Sequence, residues 1–251
     1  VADQNTSRSA DVAAEYDRAA RTLPEFTVLN YGYWSAGETT VLGEDEPERY
    51  CLRLYEHTVR DVDLTGKEVL EVSCGRGGGG AFLMKSRGIR RYVGVDLSEE
   101  NIRLARSRTD GPEYRIGYAE HLEFDDASFD CVINIEASHL YDDRLSFFKE
   151  AFRVLRPGGH FCYADGFWAN DDCTAELETA GFELLVRREI TENVVQACER
   201  DNDRRSALFD ALADTDEIDR YKDWGGVVGY RAYRRFTARE TLYFSHLLRK
   251  R

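Results

Sequence analysis

The sequence predicts an α/β fold organised around one strand-to-helix turn. Residues 69–80 read V-L-E-V-S-C-G-R-G-G-G-G, an apolar strand that runs into glycines before a helical pattern begins at Ala81. Other apolar runs, R-Y-V-G-V-D at 91–96 and S-F-D-C-V-I-N-I-E at 128–136, alternate with helical stretches, which is the signature of a parallel sheet. With 251 residues and 42% hydrophobic content, the chain can bury one large core with appendages.

The turn predicts a nucleotide-type site. Glycine lets the backbone approach a ligand where a Cβ would collide, and the following helix offers free N–H groups. Gly75, Gly77 and Gly80 satisfy the dinucleotide spacing G-x-G-x-x-G. Glu71 points elsewhere. A carboxylate at the end of the strand repels a pyrophosphate and attracts an ammonium group. S-adenosylmethionine carries that ammonium and a sulfonium. Glu71, Ser73, Gly75 and Gly77 are therefore its expected contacts in the turn.

In chain order, residues 9–23 form a helix, favoured by Ala10, Ala13, Ala14, Ala19 and Ala20, capped by Ser9 or Ser7 and ended by Pro24. Its apolar stripe of Val12, Tyr16 and Leu23 is thin. It is expected to lie over the cofactor site or on another subunit, anchored by Tyr16. N-Y-G-Y-W at 30–34 is costly to expose and marks Tyr31, Tyr33 and Trp34 as lid candidates. A second helix spans 47–62, with His57 as a surface or capping residue, and Gly66 precedes the first strand, 68–72.

A helix at 81–87 leads to the second strand, 91–96. Asp96, with Leu97 behind it, stands where ribose hydroxyls would sit, and a carboxylate accepts both. Ser98 caps the helix at 99–108, and a third strand occupies 112–116. The fourth strand, 128–136, is apolar enough for burial on both faces. Asn134 and Ile135 near its end are expected to touch the cofactor. Glu136, Ser138, His139 and Tyr141 leave the C-terminal edge, where open α/β sheets bind ligands.

A helix at 145–155 ends in P-G-G, the fifth strand covers 160–168, and its exit at 165–170, with Phe167 and Trp168, borders the same pocket. A helix at 172–180 precedes the sixth strand. Residues 191–235 are charged and helical and read as a cap, with Val195, Leu208, Phe209, Leu212 and Trp224 lining an acceptor cavity. Arg200, Arg204 and Arg205 read as a solvated face. Residues 239–248 read as an antiparallel edge strand. The expected units are a lid (1–64), a core (65–190 with 236–251) and a cap (191–235).

Net charge is -13 and the pI about 4.9, which argues against nucleic acid or an anionic membrane as partner. The six cysteines form no C-x-x-C pair, no metal site is expected, and a reducing cytosol suits them. V-A-D-Q-N-T-S-R-S-A has no apolar signal core and no segment reaches the ~20 apolar residues of a membrane span, so a cytoplasmic protein is expected.

V-L-E-V-S-C-G-R-G-G-G, V-I-N-I-E-A-S-H and R-V-L-R-P-G-G together resemble class I S-adenosylmethionine-dependent methyltransferases. They are similar to the phthiotriol/phenolphthiotriol dimycocerosate methyltransferase group and to methyltransferases of actinobacterial polyketide, sterol and terpenoid pathways. The resemblance implies a Rossmann-like, seven-stranded, mostly parallel sheet with an antiparallel last strand, an N-terminal helical lid and a helical cap insertion. It implies S-adenosylmethionine as donor and S-adenosylhomocysteine as product. Tyr33 at the pocket mouth would then touch the cofactor. Tyr118 stands where relatives often carry an acid, so Ala119 and Glu120 take the adenine contact.

The implied acceptor is a lipophilic natural product of isoprenoid or polyketide type, methylated at carbon or oxygen, with Tyr31, Trp34, Ser138, Tyr141, Phe167 and Trp168 around it. His139 is the expected base, and Glu136 and Tyr16 complete the catalytic set. Aromatic faces would stabilise a carbocation if carbon is the acceptor. A homo-oligomer, joined through the first helix, is also expected. Two alternatives use the same turn. An NAD-dependent oxidoreductase lacks a Tyr-x-x-x-Lys pattern here, and a non-catalytic cofactor-binding protein would keep Glu71 and Asp96 alone.

Overall fold

The sheet grows outward from the strand before the glycines. In the computed structural model, which describes residues 8–108, 110–212 and 215–251, β1 (Glu68–Val72) pairs in parallel with β2 (Arg91–Asp96) and β4 (Phe129–Ile135). β3 (Glu113–Ile116) lies outside β2, and β5 (Leu155–Trp168) outside β4. β7 (Thr241–Lys250) inserts antiparallel between β5 and β6 (Phe182–Glu189), giving the order β3-β2-β1-β4-β5-β7-β6. The last strand is thus antiparallel, as expected, but it is not an edge. Tyr243, Ser245, His246, Leu247 and Leu248 are buried. The edge falls to β6, whose exposed Arg187 and Glu189 suit an unpaired side.

Alternation along β1 sorts its residues between two layers. Val69 packs with α2 (Arg49–Thr58), Leu83 of α3 (Gly78–Arg87) and Val194 of α7 (Thr191–Arg200). Leu70 and Val72 pack with Phe147, Phe148 and Ala151 of α5 (Arg144–Val154) and Leu177 of α6 (Thr174–Thr179). α4 (Glu99–Arg108) buries Ile102 and Ala105 against Cys74 and Tyr114. A third core joins Ala19 of α1 (Arg8–Thr22) and Phe26 to Phe209 of α8 (Asn202–Asp210) and Tyr221 of α9 (Thr215–Trp224). α10 (Arg231–Thr237) then leads into β7. α1 and the segment after it therefore share apolar contacts with the cap, whereas α2 belongs to the main core.

Several boundaries differ from expectation. α3 begins inside the glycine run because the glycines pack a helix against aromatic rings. A Cβ at Gly79 would stand 2.0 Å from the Tyr55 ring, and one at Gly80 would stand 2.7 Å from Tyr92. Pro157, Gly158 and Gly159 lie within β5 and do not end α5. Ser9 lies inside α1, and Ser7 is outside the described residues. Among those described, no helix is long and apolar enough to cross a membrane.

Candidate active site

The site is built on the loops leaving β1, β2, β4 and β5 at their C-terminal ends. Ser73 (φ 60) and Gly75 (φ 54) both take left-handed backbone as the chain turns into α3. The Gly75 amide donates to Asp96 Oδ2 at 2.8 Å, and Asp96 Oδ1 accepts from the Ser98 amide (2.9 Å) and Asn101 Nδ2 (3.3 Å). Burial raises the Asp96 pKa, opposed by the bonds from Ser98 and Gly75. Ser73, Gly75, Asp96, Leu97, Ala119, Glu120 and Ile135 line one cavity together with Tyr16, Glu136 and Tyr141.

α1 roofs this cavity with Ser9, Val12, Ala13 and Tyr16. Both its ends are fastened to the same chain. Arg8 donates to the His139 carbonyl (2.9 Å) and Ser9 Oγ to Asp142 Oδ2 (2.5 Å). Asp17 accepts from Ser98 Oγ (2.5 Å) and the Glu100 amide (3.1 Å), so it caps the start of α4 from another helix.

The residues present fit S-adenosylmethionine. Asp96 offers a carboxylate for a ribose diol. Asn134 donates from Nδ2 to the Val72 carbonyl (2.9 Å) and Tyr141 Oη (2.8 Å), while its buried Oδ1 has no partner. Asn134 does not line the cavity, so this expected cofactor contact is not made there. Asn134 is itself fully buried behind Tyr141, whose hydroxyl also meets Ser73 Oγ at 2.6 Å.

Four further expected contacts are corrected. Glu71 shares the face of Val69 and is 1% exposed, outside the cavity. Its oxygens accept from Tyr55 Oη and Tyr92 Oη, both at 2.7 Å. Burial pushes its pKa up to about 7, against those two donors. The pairing of Glu71 with a donor ammonium therefore fails. Gly77 is a packing glycine. A Cβ there would meet Tyr114 at 2.6 Å and Ala105 at 2.9 Å. Tyr33 stacks on His57 with centroids 4.1 Å apart and donates to Glu38 at 3.0 Å, away from the cavity. Trp34 lies under the Arg200 guanidinium at 3.6 Å. The cause is Gly32 (φ 88), where the chain passes close against the Tyr50 backbone. Tyr31 remains on the site side.

Two clefts meet the cavity. The outer one is lined by Tyr31, Ser138, His139, Tyr141, Phe167 and Trp168. The inner one is lined by Tyr16, Phe26, Tyr31, His139, Phe209 and Trp224. Val195, Leu208 and Leu212 pack in cores instead. Glu136 lines the cavity and both clefts. It has left-handed backbone (φ 54), and its Oε2 accepts from the Tyr31 amide (3.0 Å) and Tyr243 Oη (2.9 Å). Burial pushes its pKa up to about 7, against those donors.

His139 Nδ1 lies 2.7 Å from Asp165 Oδ1, with the His139 side chain 37% exposed and Asp165 fully buried. A carboxylate at Nδ1 assigns the proton there and leaves Nε2 as a free acceptor. Burial opposes charge on the ring, but Asp165 outweighs it and raises the His139 pKa. Asp165 also accepts from Ser138 Oγ (2.8 Å) and the amides of His139 (3.2 Å) and Gly166 (2.8 Å). Ser138 is 1% exposed and its hydroxyl also meets Tyr163 Oη at 2.6 Å, so it braces Asp165 at the back wall and is not free to grip an acceptor. Sequence reasoning set Asp165 beside the pocket without giving it a partner, and it missed Tyr243.

Arg205 is not part of a solvated face. It is 2% exposed and donates to Asp201 Oδ2 (2.7 Å), the Gly225 carbonyl (2.6 Å) and the Tyr31 carbonyl (3.0 Å). Asp201 also pairs with Arg204, whose guanidinium lies over Phe26.

Residues 70–163 match the model of the methyltransferase domain family. The chain is 42% identical over 170 residues to a phthiotriol/phenolphthiotriol dimycocerosates methyltransferase of Mycobacterium tuberculosis (strain ATCC 25618 / H37Rv), covering 66% of this chain and 63% of that relative, under two thirds of its length. It is 38% identical over 206 residues to a fatty-acid O-methyltransferase of Mycolicibacterium smegmatis, covering 79% and 75%. The fold is shared with a cyclopropane synthase of Mycobacterium tuberculosis (TM-score 0.74, 16% identity, 99% and 100% covered) and with geranyl diphosphate C-methyltransferase of Streptomyces coelicolor A3(2) (0.70, 16%, 98% and 99%). With the glycine turn, the Asp96 carboxylate and more than three quarters of its length aligned to a named relative, this chain belongs to the class I S-adenosylmethionine-dependent methyltransferases.

Proposed function

We propose that this protein transfers a methyl group from S-adenosylmethionine to a lipophilic small molecule of isoprenoid or polyketide character, at oxygen or carbon. The reading rests chiefly on Glu136, the residue common to the donor cavity and two aromatic-walled clefts, with the His139–Asp165 pair beside it. The relatives' names support it in kind and differ in detail, a phthiotriol in one and a fatty acid in the other. Six free, buried thiols fit a reducing compartment.

The donor supplies a methyl group that is already electrophilic on its sulfonium, so the protein's task is positioning and exclusion of water. Asp96 holds the ribose, and Ala119 and Glu120 flank the adenine. α1 acts as the lid, with Tyr16 facing inward, and α7 to α10 as the cap. Asp165 fixes the His139 ring so that Nε2 can take a proton. Tyr31, Tyr141, Phe167 and Trp168 bound the acceptor.

Calorimetry with S-adenosylhomocysteine and NADH tests the reading. Binding of S-adenosylhomocysteine, weakened by Asp96→Ala, is expected. Binding of NADH alone sinks it. A mass-shift screen of cell extract for products 14 Da heavier then identifies the acceptor.

A further inference from the structure

We infer that the acceptor presents a neutral hydroxyl to the donor, and that the site discriminates against a carboxylate. This rests on the methyl-transfer reading above and narrows it.

The charges around the junction carry the argument. Among the described residues the donor cavity is lined by Asp96, Glu120 and Glu136 and by no Lys or Arg. In the inner cleft the cation is Arg205, and each of its nitrogens is engaged by Asp201 or by carbonyls and Cys51 Sγ. In the outer cleft Arg144 is committed to Asp171 and Glu176, and Arg8 to the carbonyls of His139 and Tyr141. Like Arg8, Arg235 has no carboxylate partner among the described residues. It lies over Trp168, which is 50% exposed, so it stands at the rim. A carboxylate brought to the junction would face Glu136, with Asp165 behind His139, and find the guanidinium groups of Arg8, Arg144 and Arg205 already hydrogen-bonded. Like charges placed together without a counter-ion oppose binding.

The base makes the same distinction. A carboxylate is nucleophilic without help, whereas a hydroxyl must lose a proton as it reacts. His139 is aligned by Asp165, which Ser138 and backbone amides brace, and its Nε2 is left free. Such an arrangement serves a hydroxyl and is idle for a carboxylate. In the step, the hydroxyl oxygen bonds to the methyl carbon as the C–S bond breaks. Sulfur keeps that electron pair, giving S-adenosylhomocysteine. The hydroxyl proton passes to His139 Nε2 and then to water.

The test uses 4-dodecylphenol and 4-dodecylbenzoic acid with the full chain saturated in S-adenosylhomocysteine, read by equilibrium dialysis between pH 6 and 8. The phenol should bind about tenfold or more tightly than the acid at pH 8. The gap should narrow towards pH 6 and in Glu136→Gln, and persist in Arg235→Gln. Equal or tighter binding of the acid overturns the inference, and loss of that binding in Arg235→Gln would assign the rim to acid recognition. If S-adenosylhomocysteine binds and neither probe does, the lipophilic-acceptor reading falls with it. If S-adenosylhomocysteine does not bind, the methyl-transfer reading fails first.

Discussion

Glu71, buried, and Glu136, half-buried, are carboxylates one strand apart, the first held by two tyrosine hydroxyls, the second by one and a backbone amide, and each has its pKa pushed up to about 7. Glu71 is sealed beneath the glycine turn with both oxygens occupied. Glu136 lies past the end of β4, engages its partners through Oε2, and borders the donor cavity and two clefts. The shift in acidity reports burial in both cases. Access to a ligand is what separates a packing group from a functional one.

The largest expected effect lies on the accessible side. His139→Ala should lower kcat ~10²–10⁴-fold with little change in stability, because the ring is partly exposed and its loss leaves a small gap. Unchanged turnover would remove the base and leave Glu136 to account for the chemistry. On the sealed side, Glu71→Ala should cost ~2–4 kcal/mol in urea unfolding, since it strands two buried hydroxyls and opens a cavity. A collapse of donor affinity at unchanged stability would show instead that Glu71 reaches the ligand.

The two acids also predict the pH dependence of stability. Their folded pKa values, about 7, lie above the 4.5 of an ordinary glutamate, so the folded state keeps protons that the unfolded chain has released. The stabilising contribution is complete below pH 4.5 and is lost as pH rises through about 7, by ~3 kcal/mol for each group. Glu71→Gln should flatten that decline in urea unfolding across pH 5 to 8, while Glu136→Gln should flatten it and also alter the pH profile of turnover. A decline that neither variant changes breaks the comparison. The smallest effect is expected at Asp17→Ala. It removes a cap worth ~0.5–2 kcal/mol from α4 and should weaken S-adenosylhomocysteine binding less than tenfold while leaving kcat intact.

Much of the fold was legible because it is written in local periodicity. β1 and α4 begin and end where the apolar pattern and the cap at Ser98 set them. Position in the sheet was harder to read. Nothing within residues 239–248 announces that β6 will pair on their far side. The cavity residues near strand ends, Asp96 and Glu136 among them, were legible because open parallel sheets place ligands there. Glu71, Tyr33 and Trp34 were misplaced because their environment is made by distant partners, Tyr55 and Tyr92 for the first, His57 and Arg200 for the others. Arg205 shows the same limit, since nothing in the run E-R-D-N-D-R-R separates a buried guanidinium from solvated ones.

Arg205 ties the cap to the loop whose backbone meets Glu136. It grips the carbonyl of Tyr31, and the amide of that same residue holds Glu136. Any swing of α8 that widens the inner cleft pulls on this two-link chain. The inner cleft and Glu136 are therefore geared together, so a molecule large enough to wedge the cap ajar would slacken the grip on Glu136, and one that lets it shut would tighten it.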